Sequence, residues 1–379
     1  MILLFLSSGL FLGWSLGAND AANIFGTAVG SKMLRFKTAA ITCGIFVILG
    51  AVISGSGAAK TLDNLGSVNA IAGSFMVTMS AAFTVFWMSK LKLPVSTSQA
   101  IVGAIIGWNF FAGFTTDYNC LVKIVLTWAA CPVLTAVFTV ILYSLAKFAA
   151  IRSKTHLLRQ DFYVRVSLLV VCAAGAYSLG ANNIANVMGV FVSVSPFTDI
   201  NCFDLFTLSG TQQLFFLGAL AIAVGVLTYS KKVIQTVGCG LFSLSAGSSL
   251  IIILSSAIVM FMFSSEGLNS WLVSAGLPPL PLVPVSSTQA VVGGVIGIGI
   301  LKGAKGIRYK ALGEIAIGWV ATPIIAGIIS FVALFFLQNV FKLEVSQKSA
   351  QVYSKPAQVC CYKPQSDRLS KPGSDPKIQ

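Results

Sequence analysis

Long apolar runs alternate with short polar connections along most of this chain. The pattern predicts ten membrane-crossing segments: 2–30, 38–56, 68–88, 94–113, 119–147, 166–194, 213–230, 236–263, 283–301 and 311–340. About 20 apolar residues suffice for a helix to span the hydrocarbon layer. The remaining stretch, 342–379, is rich in Lys, Ser, Gln and Pro and reads as a polar disordered tail. Inside the first run the pattern is interrupted by "GANDAANIFG" at 17–26.

That interruption returns. "GANDAAN" at 17–23 reappears as "GANNIAN" at 180–186, and "PVSTSQAIVGAIIG" at 94–107 as "PVSSTQAVVGGVIG" at 284–297. "KIVLTWAACP" at 123–132 aligns with "EIAIGWVATP" at 314–323. The offsets are 163, 190 and 191, so the later copy carries an insertion of about 27 residues between the first and second echoes. The organisation is therefore a membrane repeat over 1–150, a basic cytoplasmic linker over 151–165, and a second membrane repeat over 166–341. Five crossings per copy is odd, so the second copy enters from the opposite side. The expected fold is an all-α polytopic membrane protein with an inverted-topology internal repeat and discontinuous, broken or re-entrant helices.

Composition agrees. Hydrophobic residues make up 56% and charged residues only 9%, against about 25% charged in a soluble domain. Such a chain cannot cover its surface with groups that suit water, which points to a multi-pass protein of the plasma or bacterial inner membrane. The apolar N-terminus reads as a first span rather than a cleaved leader. The net charge of +14 would suggest nucleic acid in another context. Here the bases cluster in 31–38, 89–92, 147–165, 231–232 and 302–310, while 195–211 and 264–271 carry acids and no Lys or Arg. This is the positive-inside pattern, so the charge reports topology and no nucleic-acid partner is expected. Ten crossings return the tail to the outside with seven Lys/Arg against three acids, which conflicts with that rule. The eight cysteines show no metal or redox spacing. Cys120 and Cys202 fall on the outer side, where a disulfide is conceivable but unsupported by spacing.

Among the 11 acids, Asp20 alone falls in the interior of a predicted span, while Glu314 sits at a segment edge. A charge at mid-membrane costs at least about 2.5–3.5 kcal/mol, which makes it a functional candidate. Gly17 with Asn19, Asp20 and Asn23 suits a helix that unwinds in the bilayer and frees carbonyls for a cation. Pro94 and Pro284 suit helix openings that leave Ser96, Thr97, Ser98 and Gln99, and Ser286, Ser287, Thr288 and Gln289, beside helical N-termini where an anion is attracted. One such motif alone is explained by polar residues gluing helices together. Four motifs mirrored by an internal repeat are not. His156 lies in a basic loop and reads as solvated, and the Gly-rich 291–299 reads as helix packing. With one His and one intramembrane acid there is no nucleophile–base pair and no metal cluster, so an enzyme is not expected. No cofactor is expected beyond a co-transported Na⁺ or H⁺. A channel would need a continuous lined pore; paired broken repeats around a central site favour a carrier.

The paired motifs resemble the inorganic phosphate transporter (PiT) family, which carries G-A-N-D-x-x-N and P-[VI]-S-[ST]-[TS]-[HQ]-A in each half. The resemblance covers residues 1 to about 340. It implies a secondary active transporter that imports inorganic phosphate by Na⁺ or H⁺ symport through alternating access. It also implies a substrate site formed by Asp20, Asn23, Asn183 and Asn186 with Ser96, Thr97, Ser98, Gln99, Ser286, Ser287, Thr288 and Gln289. The cation, Na⁺ included, would share Asn19, Asp20, Asn23, Asn182, Asn183 and Asn186. Three departures stand out: Asn183 replaces the usual Asp, Gln99 and Gln289 replace the His of many members, and 238–249 lacks the usual Glu, offering only Ser243 and Ser245. Fewer carboxylates mean less charge to hold a cation. Asp20 bears on the anion too. An ionised carboxylate only accepts hydrogen bonds, so it can take one from a phosphate hydroxyl but repels fully deprotonated sulfate. Phosphate is therefore the expected substrate; a sulfate permease of the same superfamily and an anion channel are the alternatives. The lipid bilayer is the expected environment, and homodimerisation is left open.

Overall fold

The computed structural model describes residues 2–91, 95–152, 156–202, 206–237, 245–303 and 309–347. The first half forms α1 (Ile2–Gly30), α2 (Phe36–Ser54), α3 (Ser56–Leu65), α4 (Ile71–Lys90), α5 (Thr97–Ala112) and α6 (Tyr118–Arg152). The second forms α7 (Leu157–Met188), α8 (Gly210–Thr228), α9 (Ser230–Val237), α10 (Ala246–Met262), α11 (Glu266–Ser274), α12 (Ser287–Leu301) and α13 (Tyr309–Asn339). Between α7 and α8 lies an antiparallel hairpin of β1 (Ile200–Cys202) and β2 (Phe206–Leu208), with Asn201 opposite Thr207.

Among the described residues, seven helices are long and apolar enough to cross a membrane: α1, α2, α4, α6, α7, α8 and α13. α10 and α11 form an apolar pair bent by 70°, the geometry of a broken span or a re-entrant loop. The protein is thus multi-pass, but not ten unbroken crossings. The predicted spans 94–113 and 283–301 are helices of only 16 and 15 residues. At about 1.5 Å per residue they reach some 24 Å, short of the roughly 30 Å hydrocarbon core. Long helices present lipid-facing stripes at helical spacing. Val122, Leu126, Val133, Val137 and Ile141 on α6, and Ile317, Val320, Ile324, Ile328 and Phe335 on α13, are all exposed. Water would not tolerate such stripes, whereas bilayer chains cover them.

The helix packing recurs between the halves. α1 lies on α8 as α7 lies on α2, α5 on α13 as α12 on α6, and α4 on α1 as α10 on α7, while α2 and α8 meet each other. Helix starts also separate the insertion into two pieces. The offset from α2 to α8 is 174 (36 to 210), so the β1–β2 hairpin accounts for the first rise above 163; it is 175 from α4 to α10 and 190 from α5 to α12, so α11 accounts for the second.

Two predicted boundaries are corrected. The linker 151–165 is largely helical, because α6 runs to Arg152 and α7 begins at Leu157. The tail does not begin at 342: Val345 is buried, its carbonyl accepts from Trp108 Nε1 at 2.9 Å, and Asn69 exchanges two hydrogen bonds with Gln347 at 2.8 and 2.9 Å. Residue 347 therefore sits beside the loop before α4. Pairing backbone groups on a buried strap outweighs the polar composition that reads as disorder. Cys120 is free, its Sγ 3.3 Å from the carbonyl of Thr61, so it takes no part in a disulfide. Pro94, Ser243 and the tail from 348 lie outside the described residues.

Candidate functional site

The polar motifs of α1 and α7 lie in unbroken helix, so the unwinding expected at 17–23 does not occur. The glycines serve close approach instead. A Cβ on Gly17 would lie 2.0 Å from the carbonyl oxygen of Ile222, and one on Gly180 2.1 Å from that of Val47. The reverse faces match: Gly225 against Trp14, and Gly50 against Tyr177, at 2.1 and 2.0 Å. The α1–α8 and α7–α2 crossings are thus built alike, with backbone against backbone. Each motif glycine sits one turn before its Asp20 or Asn183. The close crossing therefore positions the polar side chains while the helical ladder stays intact.

The chain breaks at the Pro-Val-Ser motifs instead. Ser96 and Ser286 are extended N-cap residues whose hydroxyl oxygens accept from Gln99 N (3.4 Å) and Gln289 N (3.3 Å). Such caps contribute about 1 kcal/mol. They also leave free first-turn N–H groups at the starts of α5 and α12, where an anion is favoured.

The motifs are exchanged between repeats. Ser287 of α12 donates to Asp20 Oδ2 of α1 at 2.8 Å, and Asn23 Nδ2 reaches Ser287 Oγ (3.3 Å) and Thr288 Oγ1 (3.4 Å). Reciprocally, Asn186 of α7 donates to Ser98 Oγ of α5 at 2.9 Å and to Asn183 Oδ1 at 2.9 Å. Asn19 Nδ2 donates to Asp20 Oδ1 at 3.2 Å, as Asn182 Nδ2 does to Asn183 Oδ1. Asp20 is the only buried carboxylate among the described residues, and hydrogen bonds to charge are worth about 1.5–3 kcal/mol.

Hydrogen bonds therefore join Asn19, Asp20, Asn23, Ser287 and Thr288 in one group and Asn182, Asn183, Asn186 and Ser98 in another, the second group bonded to Val285, two residues before Ser287. They are not equivalent. Thr97 Oγ1, Gln99 Oε1, Gln289 Oε1, Asn183 Nδ2 and Asn186 Oδ1 are buried with no partner among the described residues. Natural proteins rarely leave such groups unpaired, so this set of mostly acceptor oxygens, beside one carboxylate and two helix N-termini, is suited to a desolvated cation and an oxyanion. Asn182 differs: its Oδ1 accepts from Val285 N (2.9 Å) and its Nδ2 donates to Val285 O (2.7 Å). Two of its hydrogen bonds thus go to the backbone of the second break. Sequence reasoning missed that Val285 peptide, and also Trp128, whose Nε1 donates to Pro284 O at 3.4 Å. A backbone acceptor leaves no mark in residue type; only the echo of Trp128 at Trp319 was visible.

A bundle of membrane-crossing helices that buries a charge-poor polar site between two exchanged motif pairs defines a membrane transporter rather than an enzyme. The profile of the Phosphate transporter family matches residues 16–270 and 281–373, and the chain belongs to that family. A protein of Methanocaldococcus jannaschii named "putative phosphate permease" is 29% identical over 324 residues, covering 85% of this chain and 93% of its own. The sulfate permease CysP of Bacillus subtilis is 28% identical over 347 residues, covering 88% of each. A solved structure of a sodium-dependent phosphate transporter matches with a TM-score of 0.71 at 21% identity, over 89% of this chain and 98% of that one, which shows a shared fold.

Proposed function

We propose that this protein imports inorganic phosphate by cation symport, with the anion and a Na⁺ or H⁺ held together between the two repeats and exposed to each side in turn. The observation that carries the reading is the junction of Asp20 with Ser287 at the N-terminus of α12, whose first turn also holds Gln289 Oε1, buried with no partner among the described residues. The helix N-termini and hydroxyls supply donors for the oxyanion. Asp20 and the amide oxygens supply acceptors for the cation. The cation offsets the anion's charge as both leave water, and its gradient drives uptake.

Asp20 favours an anion that still carries a proton, since phosphate can donate to it and sulfate cannot. Sulfate remains the second reading because a relative named as a sulfate permease covers 88% of the chain, against 85% for the relative from Methanocaldococcus jannaschii named for phosphate. Radiolabelled phosphate uptake into proteoliposomes tests this, run with a Na⁺ gradient, a proton gradient or neither, and with excess sulfate as competitor. Gradient-driven uptake insensitive to sulfate supports phosphate symport, and the effective gradient identifies the cation. Uptake of sulfate in place of phosphate overturns the substrate. Uptake that ignores both gradients overturns symport.

A further inference from the structure

The two helix breaks are held unequally. Around the second, Asn182 makes two bonds to the Val285 peptide, Ser98 Oγ donates to Val285 O at 3.0 Å, and Trp128 Nε1 donates to Pro284 O. Every one of these residues has a counterpart at the repeat offsets: Asn19 for Asn182, Thr288 for Ser98, Trp319 for Trp128 and Val95 for Val285. Yet among the described residues no hydrogen bond joins Asn19 or Thr288 to Val95. The Trp319 Nε1 is buried with no partner among the described residues, which do not include Pro94, the counterpart of Pro284. Asn182 is fully buried, whereas Asn19 and Thr288 are half-buried.

We propose that Asn182 and Asn19 are a matched pair of positioning residues, each able to grip the backbone of the break in its own repeat, and that transport alternates which grip is closed. The inference rests on the alternating-access reading above and adds the element that switches. A repeat pair with one sequence pattern and two arrangements is what inverted-repeat carriers use to expose a fixed site to either side. An asparagine side chain suits the grip because its amide offers one donor and one acceptor, matching a peptide's C=O and N–H. The closed arrangement gains two buried hydrogen bonds that the open one lacks. By this inference Asn182 sets the balance between two conformations and is not a ligand of the transported ion.

Phosphate counterflow in right-side-out and inside-out vesicles tests it, by comparing half-saturation at the two faces for Asn19→Ala, Asn182→Ala and the double variant. Two net hydrogen bonds correspond to a shift of about 5- to 150-fold in the balance of states. Expected is a change in the ratio of the two constants by that order in one direction for Asn182→Ala, in the opposite direction for Asn19→Ala, and a return towards the wild-type ratio in the double variant. Half-saturation for the driving cation should stay within about twofold, less than one lost hydrogen bond would produce. Shifts in the same direction, or a cation constant that rises in both variants and rises further in the double, overturn the proposal and make these residues ion ligands. Asn19 makes no bond to a break in this conformation, so its variant keeps the fold; if Asn182→Ala does not fold, Asn19→Ala alone decides, and an unchanged ratio overturns the grip. Counterflow of neither phosphate nor sulfate would instead remove the carrier reading, which keeps the two failures distinct.

Discussion

Replacing Gly17 with Ala should damage both the fold and the site, and the structure sets the size of the effect. The new Cβ would lie 2.0 Å from Ile222 O, which is backbone and cannot swing away. Reaching an ordinary C···O separation of about 3.3 Å requires α1 to move from α8 by at least about 1.3 Å. Overpacking of this kind costs about 1–3 kcal/mol, against at most about 1 kcal/mol gained from the better helix propensity of Ala. Asp20 is less than one turn further along the same helix. A displacement of that size strains its 2.8 Å bond to Ser287 beyond hydrogen-bond range. Gly26→Ala in the same helix is the control, because its Cβ would meet nothing closer than Ala22 Cβ at 3.6 Å. Thermal unfolding in detergent and uptake in proteoliposomes should show Gly17→Ala melting lower and transporting at least tenfold more slowly, with Gly26→Ala close to wild type. Equal melting and equal uptake for the two variants would refute the argument that backbone contact at this crossing positions the site.

Further outcomes follow from the same geometry. Asp20→Asn should lower uptake by at least tenfold with little change in melting, since an amide can still meet Ser287 and only the charge is lost; wild-type uptake would remove Asp20 from the site. Ser286→Ala should cost about 1 kcal/mol through the lost α12 cap, read as a lower melting temperature that Ser286→Thr, which keeps a capping hydroxyl, largely avoids. Lys60→Ala breaks a 2.8 Å pair with Glu266 whose side chains are 72% and 38% exposed, so the melting change should correspond to less than about 1 kcal/mol. Trp108→Phe should free the strap at Val345 and make the chain after 341 more sensitive to protease, while leaving the central site intact.

Much of this was legible without coordinates. Asp20 could be singled out because an acid in a long apolar run is costly, and that cost holds in any fold. The four motifs could be paired because a duplication preserves residue types at fixed offsets, and Asp20 and Asn23 meet Ser287 as Asn186 meets Ser98. The start of α12 was legible because Pro284 ends one backbone ladder and Ser286 caps the next. Other features were misread for physical reasons. Gly17 in a polar motif suits an unwound helix as well as a close crossing, and only the neighbouring Ile222 carbonyl decides between them. Segments 94–113 and 283–301 are apolar enough to cross, but their helices begin only at Thr97 and Ser287 and are too short. The residues 343–347 look like solvated tail, yet Trp108 and Asn69 supply partners from far along the chain.

Sequence alone determined that the chain lives in a membrane, that it is duplicated, and that an acid with mirrored amides and hydroxyls forms its polar centre, because hydropathy, repetition and the cost of buried charge are local properties. The tertiary structure alone decided that Asp20 meets Ser287 and Asn186 meets Ser98 across the repeats, that Asn182 serves the Val285 backbone, and that the two halves differ in which break is held. Those choices depend on which backbone atoms arrive beside a side chain, and the spacing of residues along the chain does not encode that.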